Sequence, residues 1–248
     1  MDAYTSFAQV YDLFMDNVPY EEWGAFLQEQ LTAHGIEDGV VLELGCGTGR
    51  MTRIMAAYGY DMIGVDNAID MLSLAMAKEE ADSGILYLLQ DMQELSLNGT
   101  VRAIYSACDC MNYILEEEGL LQVFCHVREF LDENGIFLFD MNTPYKYREL
   151  LAENTFAENR SEGSFIWENF YDDKEQINEY DLTLFIRNED GLFEKFEETH
   201  YQRSYEMEQV RSLLEKAGLT VLGIYDAYTD SPHTKETERA MFIAKKNG

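Results

Sequence analysis

The chain has 248 residues, of which 18 are basic and 47 acidic, so its formal net charge at pH 7 is −29. Hydrophobic residues make up 46% of it, which is enough for a buried core and excludes global disorder. Nucleic acids and anionic membranes are bound through basic faces, and the first Lys or Arg of this chain is Arg50. The charge therefore disfavours both and favours a neutral, zwitterionic or cationic partner.

The N-terminus lacks the basic and apolar regions of a signal peptide, and no apolar run approaches the ~18 residues that cross a bilayer. We therefore expect a cytoplasmic protein that does not enter a membrane. Cys46, Cys108, Cys110 and Cys125 lack the spacing of a disulfide framework and are expected to be reduced thiols. Cys108 and Cys110 could form half of a metal site, but no second pair or His cluster accompanies them, so no metal is expected.

Strands and helices alternate along the chain up to about residue 141. The first predicted helix is amphipathic and covers residues 21–33. The predicted strands of this part cover residues 39–44, 62–65, 85–89, 101–107 and 136–139. The predicted helices between them cover residues 50–58, 69–78 and 120–131. This alternation predicts β-α-β units and a mainly parallel sheet.

Residues 163–205 show strand alternation without intervening helices, which predicts an antiparallel insert of about three strands. Those strands are predicted over residues 164–171, 180–187 and 192–203. A helix over residues 205–217 and strands over residues 219–225 and 240–245 close the chain. The predicted organisation is one sheet domain from residues 1–150 and 205–248, with cap helices in residues 1–35 and a small lid over residues 151–204.

A glycine loop, Gly45-Cys46-Gly47-Thr48-Gly49, follows the first predicted strand and precedes a helix. Glycines allow a positive φ and let a ligand lie against the backbone. The spacing differs from the G-x-G-x-x-G of dinucleotide-binding folds, and no lysine follows as in a P-loop. The loop therefore disfavours a nicotinamide-dependent reductase and a nucleotide triphosphatase.

Acidic residues follow the second and third predicted strands. Asp66 ends the second strand, where a carboxylate can accept hydrogen bonds from ribose hydroxyls. Asp91-Met92 follows the third strand, where Asp91 can accept from an adenine amino group. Because the carboxyl ends of parallel strands meet at one edge of a sheet, these residues predict a nucleoside-binding site beside the glycine loop.

Three segments resemble the cofactor motifs of class I S-adenosylmethionine-dependent methyltransferases: residues 41–49, 66–72 and 90–92. In the second segment Ala68 replaces the common serine. A closer likeness, to small bacterial methyltransferases of mostly unassigned substrate, extends over nearly the whole chain. It is carried by Tyr4-x-x-Phe7-Ala8-x-x-Tyr11-Asp12, Asp109-x-x-Asn112-Tyr113, Phe139-Asp140-x-Asn142 and Phe196-x-Glu198-Thr199-His200-x-x-Arg203.

The resemblance implies an α/β fold with a Rossmann-like seven-stranded sheet, whose reversed final strand lies between the fifth and the sixth. The antiparallel β insert is expected between strands five and six. The implied cofactor is S-adenosylmethionine, and the implied reaction is an in-line displacement of its methyl group. The expected cofactor-binding residues are Tyr11, Gly45, Cys46, Gly47, Gly49, Asp66, Asn67, Met71, Asp91, Met92 and Cys108.

The acceptor side is expected after strands four and five and on the insert. The candidate catalytic residues are His200, Tyr113 and Asp109, and the candidate substrate-binding residues are Asn112, Asp140, Asn142, Trp167 and Arg203. Histidine is a common general base, which makes His200 a candidate for that role, or it holds the insert in place through Glu198 or Arg203. Arg203 can bind a substrate carboxylate in bidentate fashion, or it ties down the acidic strand beside it.

The leading hypothesis is a methyltransferase that acts on a nitrogen or oxygen nucleophile of a small molecule, as a monomer or dimer. An RNA methyltransferase is the main rival among enzymes, and the net charge argues against it. A protein methyltransferase with a basic partner suits the charge but has no dedicated signature. A non-catalytic regulatory module that binds S-adenosylmethionine stays open, because every strong motif lies on the cofactor side.

Overall fold

The computed structural model describes residues 8–79 and 83–246, and its strands form two sheets. The helices are α1 (Ala8–Phe14), α2 (Tyr20–Ala33), α3 (Arg50–Ala57), α4 (Ile69–Ala77), α5 (Glu117–Phe130) and α6 (Met207–Lys216). The strands are β1 (Val40–Leu44), β2 (Asp61–Asp66), β3 (Leu86–Leu89), β4 (Val101–Ser106), β5 (Leu131–Asn142), β6 (Thr155–Asn159), β7 (Gly163–Asp172), β8 (Ile177–Arg187), β9 (Phe193–Arg203), β10 (Leu219–Asp226) and β11 (Arg239–Lys246). Short helical turns at Met92–Glu94 and Cys110–Tyr113 follow β3 and β4, and a π-helical segment at Lys146–Leu151 follows β5.

The main sheet has seven strands in the order β10-β11-β5-β4-β1-β2-β3. Its members from β5 to β3 run parallel, whereas β11 pairs antiparallel with both β5 and β10. The reversed last strand therefore lies between the fifth strand and β10, which confirms the fold that the resemblance implies. This topology brings the carboxyl ends of β1, β2, β3 and β4 to one edge, where ligands bind in such sheets.

Helices cover both faces of the main sheet. On one face α2 and α3 bury Leu31 and Met55, and on the other α5 and α6 bury Phe124 and Leu214. Because both faces of the sheet are covered, most residues of β1 and β4 are buried, and their sequences do not alternate between apolar and polar residues. β5 starts at Leu131, earlier than the predicted residue 136, because the chain pairs with Val101 before the left-handed Asn134.

The insert is a four-stranded antiparallel sheet in the order β6-β7-β8-β9, between the fifth strand of the main sheet and α6. The prediction of about three strands was wrong by one, since β6 was missed. β6 is an edge strand whose residues are mostly exposed, so its sequence carries no apolar alternation. It pairs with β7 from Thr155 opposite Glu168 to Asn159 opposite Ser164.

α1 packs against the insert rather than against the main sheet. Its Val10 and Phe14 form a buried cluster with Leu182 and Leu184 of β8. The ring of Phe14 meets that of Phe165 edge-on, with 4.9 Å between centroids. None of the helices in the described ranges is long and apolar enough to cross a membrane.

Candidate functional site

A cavity of about 360 Å³ lies at the carboxyl ends of β1, β2, β3 and β4. Of the predicted cofactor-binding residues, those that line it are Tyr11, Gly45, Cys46, Gly47, Asp66, Asn67, Met71, Asp91, Met92 and Cys108. Gly49 lies outside the lining. It precedes the first turn of α3 with φ +71°, and a Cβ there would lie 2.3 Å from the Tyr87 hydroxyl. Glycine is therefore needed at position 49 because Tyr87 packs closely against it, not because it lines the cavity.

The glycine loop turns its backbone toward the cavity. Gly45 and Cys46 donate their N–H groups to the Val65 carbonyl, at 2.8 and 3.0 Å, which ties the loop to β2. Gly47 has φ +52°, and a Cβ built on it would meet no atom within 4 Å. The loop thus leaves open space against a bare backbone, which is the space a ligand needs to approach closely.

Two carboxylates shape the rim of this cavity. Asp66 accepts the backbone N–H groups of Gly47 and Ala68, both at 2.8 Å. Burial raises the pKa of Asp66, and these backbone donors act in the opposite direction. Asp91 accepts the N–H of Gln93 at 2.8 Å and so begins the short turn after β3.

Glu43 lies at the base of the cavity and is buried. It accepts the hydroxyl groups of Thr52 and of Tyr105, the latter at 3.0 Å. Burial raises its pKa to about 8. Among the cavity-lining residues of the described chain, Arg50 is the only basic one, and its guanidinium lies 4.4 Å from the ring centroid of Tyr20.

On the acceptor side, Tyr113 lines the cavity and His200 lies behind it. The Tyr113 hydroxyl hydrogen-bonds to the Tyr180 hydroxyl and lies 3.4 Å from Nδ1 of His200. His200 is only 2% exposed, and its Nε2 lies 3.3 Å from Oε2 of Glu198. Of the three predicted catalytic residues, the structure brings Tyr113 and His200 together, with Tyr113 between His200 and the cavity.

Asp109 and Asp140 share one partly buried guanidinium, that of Arg239. Nη2 of Arg239 donates to Asp109 at 2.6 Å, and Nη1 donates to Asp140. The other oxygen of Asp109 accepts from Nε2 of Gln202 at 2.7 Å. Burial raises the pKa of Asp140, and Arg239 opposes this. Burial alone would lower the pKa of Arg239, but the two carboxylates raise it well above its usual value.

The predicted substrate-binding residues lie outside the cavity lining, and two of them, Asn112 and Arg203, join the insert to the main sheet domain. The side chain of Asn112 donates to the carbonyls of Asn142 and Arg203, at 3.2 and 2.8 Å. Arg203 donates to the Leu115 carbonyl at 2.7 Å. Trp167 packs against Tyr180, with ring centroids 5.4 Å apart. The contacts of these residues with an acceptor stay predictions.

Comparison with known proteins places the chain in a family. A family model described as a methyltransferase domain matches residues 41–135. A relative from Geobacillus sp. (strain WCH70), named as a methyltransferase, is 37% identical over 98% of this chain and 100% of its own length. The chain belongs to the class I S-adenosylmethionine-dependent methyltransferases.

Solved structures agree with the assignment of this chain to the methyltransferases. An S-adenosylmethionine-dependent methyltransferase from Clostridium acetobutylicum ATCC 824 is 30% identical, with a TM-score of 0.88 and full coverage of both chains, 100% each. A sugar N-methyltransferase from Streptoalloteichus sp. shares the fold, with a TM-score of 0.79, 15% identity and coverage of 96% and 93%. Both solved structures match nearly the whole chain, so the matched architecture includes the insert.

The cavity of the methyltransferase fits S-adenosylmethionine, the cofactor of the family. The open backbone at Gly47 can take its amino-acid portion, and the carboxylates of Asp66 and Asp91 suit ribose hydroxyls and an adenine amino group. Arg50 supplies one positive charge for a carboxylate tail. Within the described ranges no group of three or more His, Cys, Asp or Glu residues is arranged to hold a metal ion.

Four residues that contact predicted site residues or the glycine loop were not among the predicted site residues: Arg239, Gln202, Tyr180 and Asp12. Arg239 is the first residue of β11 and reaches Asp140 only because β11 inserts beside β5. Asp12, in the N-terminal motif, accepts the Thr48 hydroxyl of the glycine loop at 2.7 Å. The predicted motif residues Tyr4 and Phe7 lie outside the described ranges.

Proposed function

We propose that the methyltransferase methylates a nitrogen atom of a small amine that reaches the cofactor cavity beside Tyr113. The observation that carries this proposal is the chemistry of the wall facing the insert. Tyr113 contributes a hydroxyl there, whereas Arg203 is held by the Leu115 carbonyl. A carboxylate acceptor would need a guanidinium at this wall, and an amine is served by hydroxyl and acidic groups.

The helix α1, which lies over the cavity, favours a small acceptor. Tyr11 of α1 lines the cavity, and α1 is packed onto the insert through Val10 and Phe14. A small molecule can enter beneath such a cover, whereas folded RNA would meet a surface of formal net charge −29. The sugar N-methyltransferase from Streptoalloteichus supports a small amine acceptor at the level of a shared fold.

We further propose how this chain holds its cofactor. Asp66 would accept hydrogen bonds from the ribose hydroxyls, and Asp91, in the same lining as Met71 and Met92, would accept from the adenine amino group. Arg50 would pair with the carboxylate of the amino-acid portion. All three of these charged side chains line the cavity.

S-adenosylmethionine supplies a methyl group that its sulfonium already activates. The protein has to align the acceptor, exclude water and remove a proton if the amine arrives as an ammonium. In the proposal Tyr113 accepts that proton while its own hydroxyl proton moves to Nδ1 of His200. Glu198, beside Nε2, stabilises the imidazolium that forms. Tyr113 is then the catalytic residue, and His200 is a positioning residue that acts through it.

The test measures S-adenosylhomocysteine formed with matched acceptors. The panel contains amino sugars and small peptides, the corresponding hydroxyl sugars, carboxylic acids and bulk tRNA. We expect turnover with an amine and none with its hydroxyl analogue. Tyr113→Phe should lower that turnover by roughly 100-fold, the scale of acid–base catalysis, with cofactor affinity unchanged within about threefold. Methylation of tRNA or of the hydroxyl sugars instead of the amines would overturn the proposal.

A further inference from the structure

The turn that follows β4 has an unusual backbone. Cys108 has φ +62° and Asp109 has φ +52°, so two consecutive residues other than glycine adopt the left-handed conformation. Within the described ranges they are the only adjacent pair of this kind. Such conformations persist only when their surroundings hold them, and they concentrate at functional sites. This turn is part of the cofactor cavity, because Cys108 lines it.

The side chain of Asp109 is held from two directions. Arg239, at the start of β11, donates to one carboxylate oxygen at 2.6 Å, and Gln202 of β9 donates to the other at 2.7 Å. Gln202 is itself oriented by the Tyr147 hydroxyl, which donates to its Oε1 at 2.9 Å. The backbone N–H of Asp109 also points at the Asp140 carboxylate, with 3.3 Å to each oxygen. Side chains of the main sheet and of the insert thus both hold Asp109.

Arg239 is suited to hold this carboxylate because it is itself held. Its guanidinium also pairs with Asp140, which is fully buried, and lies 5.3 Å from the ring centroid of Trp23. Trp23 in turn stacks on Tyr228, with ring centroids 4.2 Å apart. If Asp109 lost its carboxylate, Arg239 would keep Asp140 as a one-to-one partner and no unpaired buried charge would result.

We propose that Asp109 is a positioning residue: Arg239 and Gln202 hold its carboxylate so that the Cys108–Asp109 turn stays left-handed and forms the wall of the cofactor cavity beside Tyr113. The carboxylate acts on backbone geometry and takes no proton from the acceptor. The inference rests on the cavity being the cofactor site and does not depend on which acceptor is methylated. It is an alternative to the sequence-based hypothesis that Asp109 is catalytic.

The test compares two substitutions that both remove the carboxylate. Glycine adopts the left-handed conformation without strain, whereas alanine does so only against it. We expect Asp109→Ala to weaken binding of S-adenosylhomocysteine, measured by calorimetry, by about tenfold or more. Asp109→Gly should stay within about threefold of the unchanged protein. A glycine variant as impaired as the alanine variant, or an alanine variant that binds normally, would overturn the proposal.

Gln176 offers a matched control, because it is also left-handed, with φ +59°, and lies outside the cavity lining. At both positions the alanine variant should melt below the glycine variant, but Gln176→Ala and Gln176→Gly should leave binding of S-adenosylhomocysteine unchanged. If Asp109→Ala does not fold, Arg239→Lys carries the test, since lysine keeps one charge but cannot donate to both carboxylates as the guanidinium does. It should also weaken binding, and normal binding would overturn the proposal. Failure of the unchanged protein to bind would instead remove the cofactor assignment.

Discussion

Burial sets the charge of the carboxyl group at the base of the cofactor cavity. Glu43 is 2% exposed, and its two hydroxyl partners offset only part of the unfavourable loss of solvent. Asp66, on the next strand, faces the same loss of solvent but accepts backbone N–H groups from the loop and the start of α4. The two acids therefore have different roles: Glu43 supports the glycine loop from the base of the cavity, and Asp66 holds the loop at the rim of the cavity.

Glu43→Gln should remove a pH dependence of stability. The pKa of Glu43 rises from an ordinary 4.5 to about 8 on folding, so the folded state binds the extra proton between these values. The free energy of unfolding therefore falls as pH rises through this window. We expect urea unfolding to show that the unchanged protein loses roughly 1–3 kcal/mol more stability between pH 6 and pH 9 than Glu43→Gln does.

An exposed glutamate of α2 gives the control, since Glu22→Gln alters the same chemical group without burial. Its stability should follow that of the unchanged protein across the pH range. Equal pH dependence in the unchanged protein and in Glu43→Gln would show that Glu43 is ionised in the folded state already at pH 6.

At the scale of elements, α1 connects the parts that surround the cavity. Asp12 accepts the Thr48 hydroxyl of the glycine loop and pairs with Lys78, which follows α4. Arg160, between β6 and β7, pairs with Asp16 just after α1, at 2.7 Å. α1 is thus fixed to the cofactor loop at one side and to the insert at the other, which explains how a seven-residue helix keeps its place.

Asp12→Ala should loosen α1 and weaken cofactor binding. Loss of one hydrogen bond of about 1 kcal/mol corresponds to roughly a fivefold higher Kd for S-adenosylmethionine. Amide hydrogen exchange in α1 should become faster at the same time. Lys78→Met is the matched control, because it removes the ion pair and keeps the bond to Thr48; it should give a smaller change in both measurements. An equal effect of the two variants would mean that the ion pair, not the loop contact, holds α1.

The cofactor half of the site could be predicted from the sequence, and the acceptor half could not. Gly47, Asp66 and Asp91 follow consecutive strands, so local patterns and one rule about strand ends suffice to bring them together. Arg239 meets Asp140 across 99 positions, and this meeting depends on where the last strand inserts. Strand β6 escaped prediction because an exposed edge strand carries no apolar alternation.

For the whole molecule, the negative charge is partly neutralised within the fold but remains large at the surface. More than half of the Lys and Arg residues in the described ranges lie within ion-pair distance of an acid, as Arg102 does with Asp38 at 2.9 Å. Few cations are therefore left to form a basic face. This distribution supports a small acceptor, because a cation that lies beside an acid attracts a phosphate less than an isolated cation does.

Added salt should stabilise this protein. A formal net charge of −29 makes the compact chain repel itself, and raising NaCl from about 10 mM to 150 mM shortens the Debye length from roughly 30 to 8 Å. Screening also weakens exposed ion pairs such as Arg102–Asp38, but each contributes only about 0–1 kcal/mol. We expect the melting temperature at pH 8 to rise by roughly 2–4 °C for each kcal/mol gained. At pH 5, nearer the isoelectric point of about 4.2, the rise should shrink, because protonated acids repel less. A melting temperature that falls with salt at pH 8 would mean that the ion pairs outweigh the repulsion.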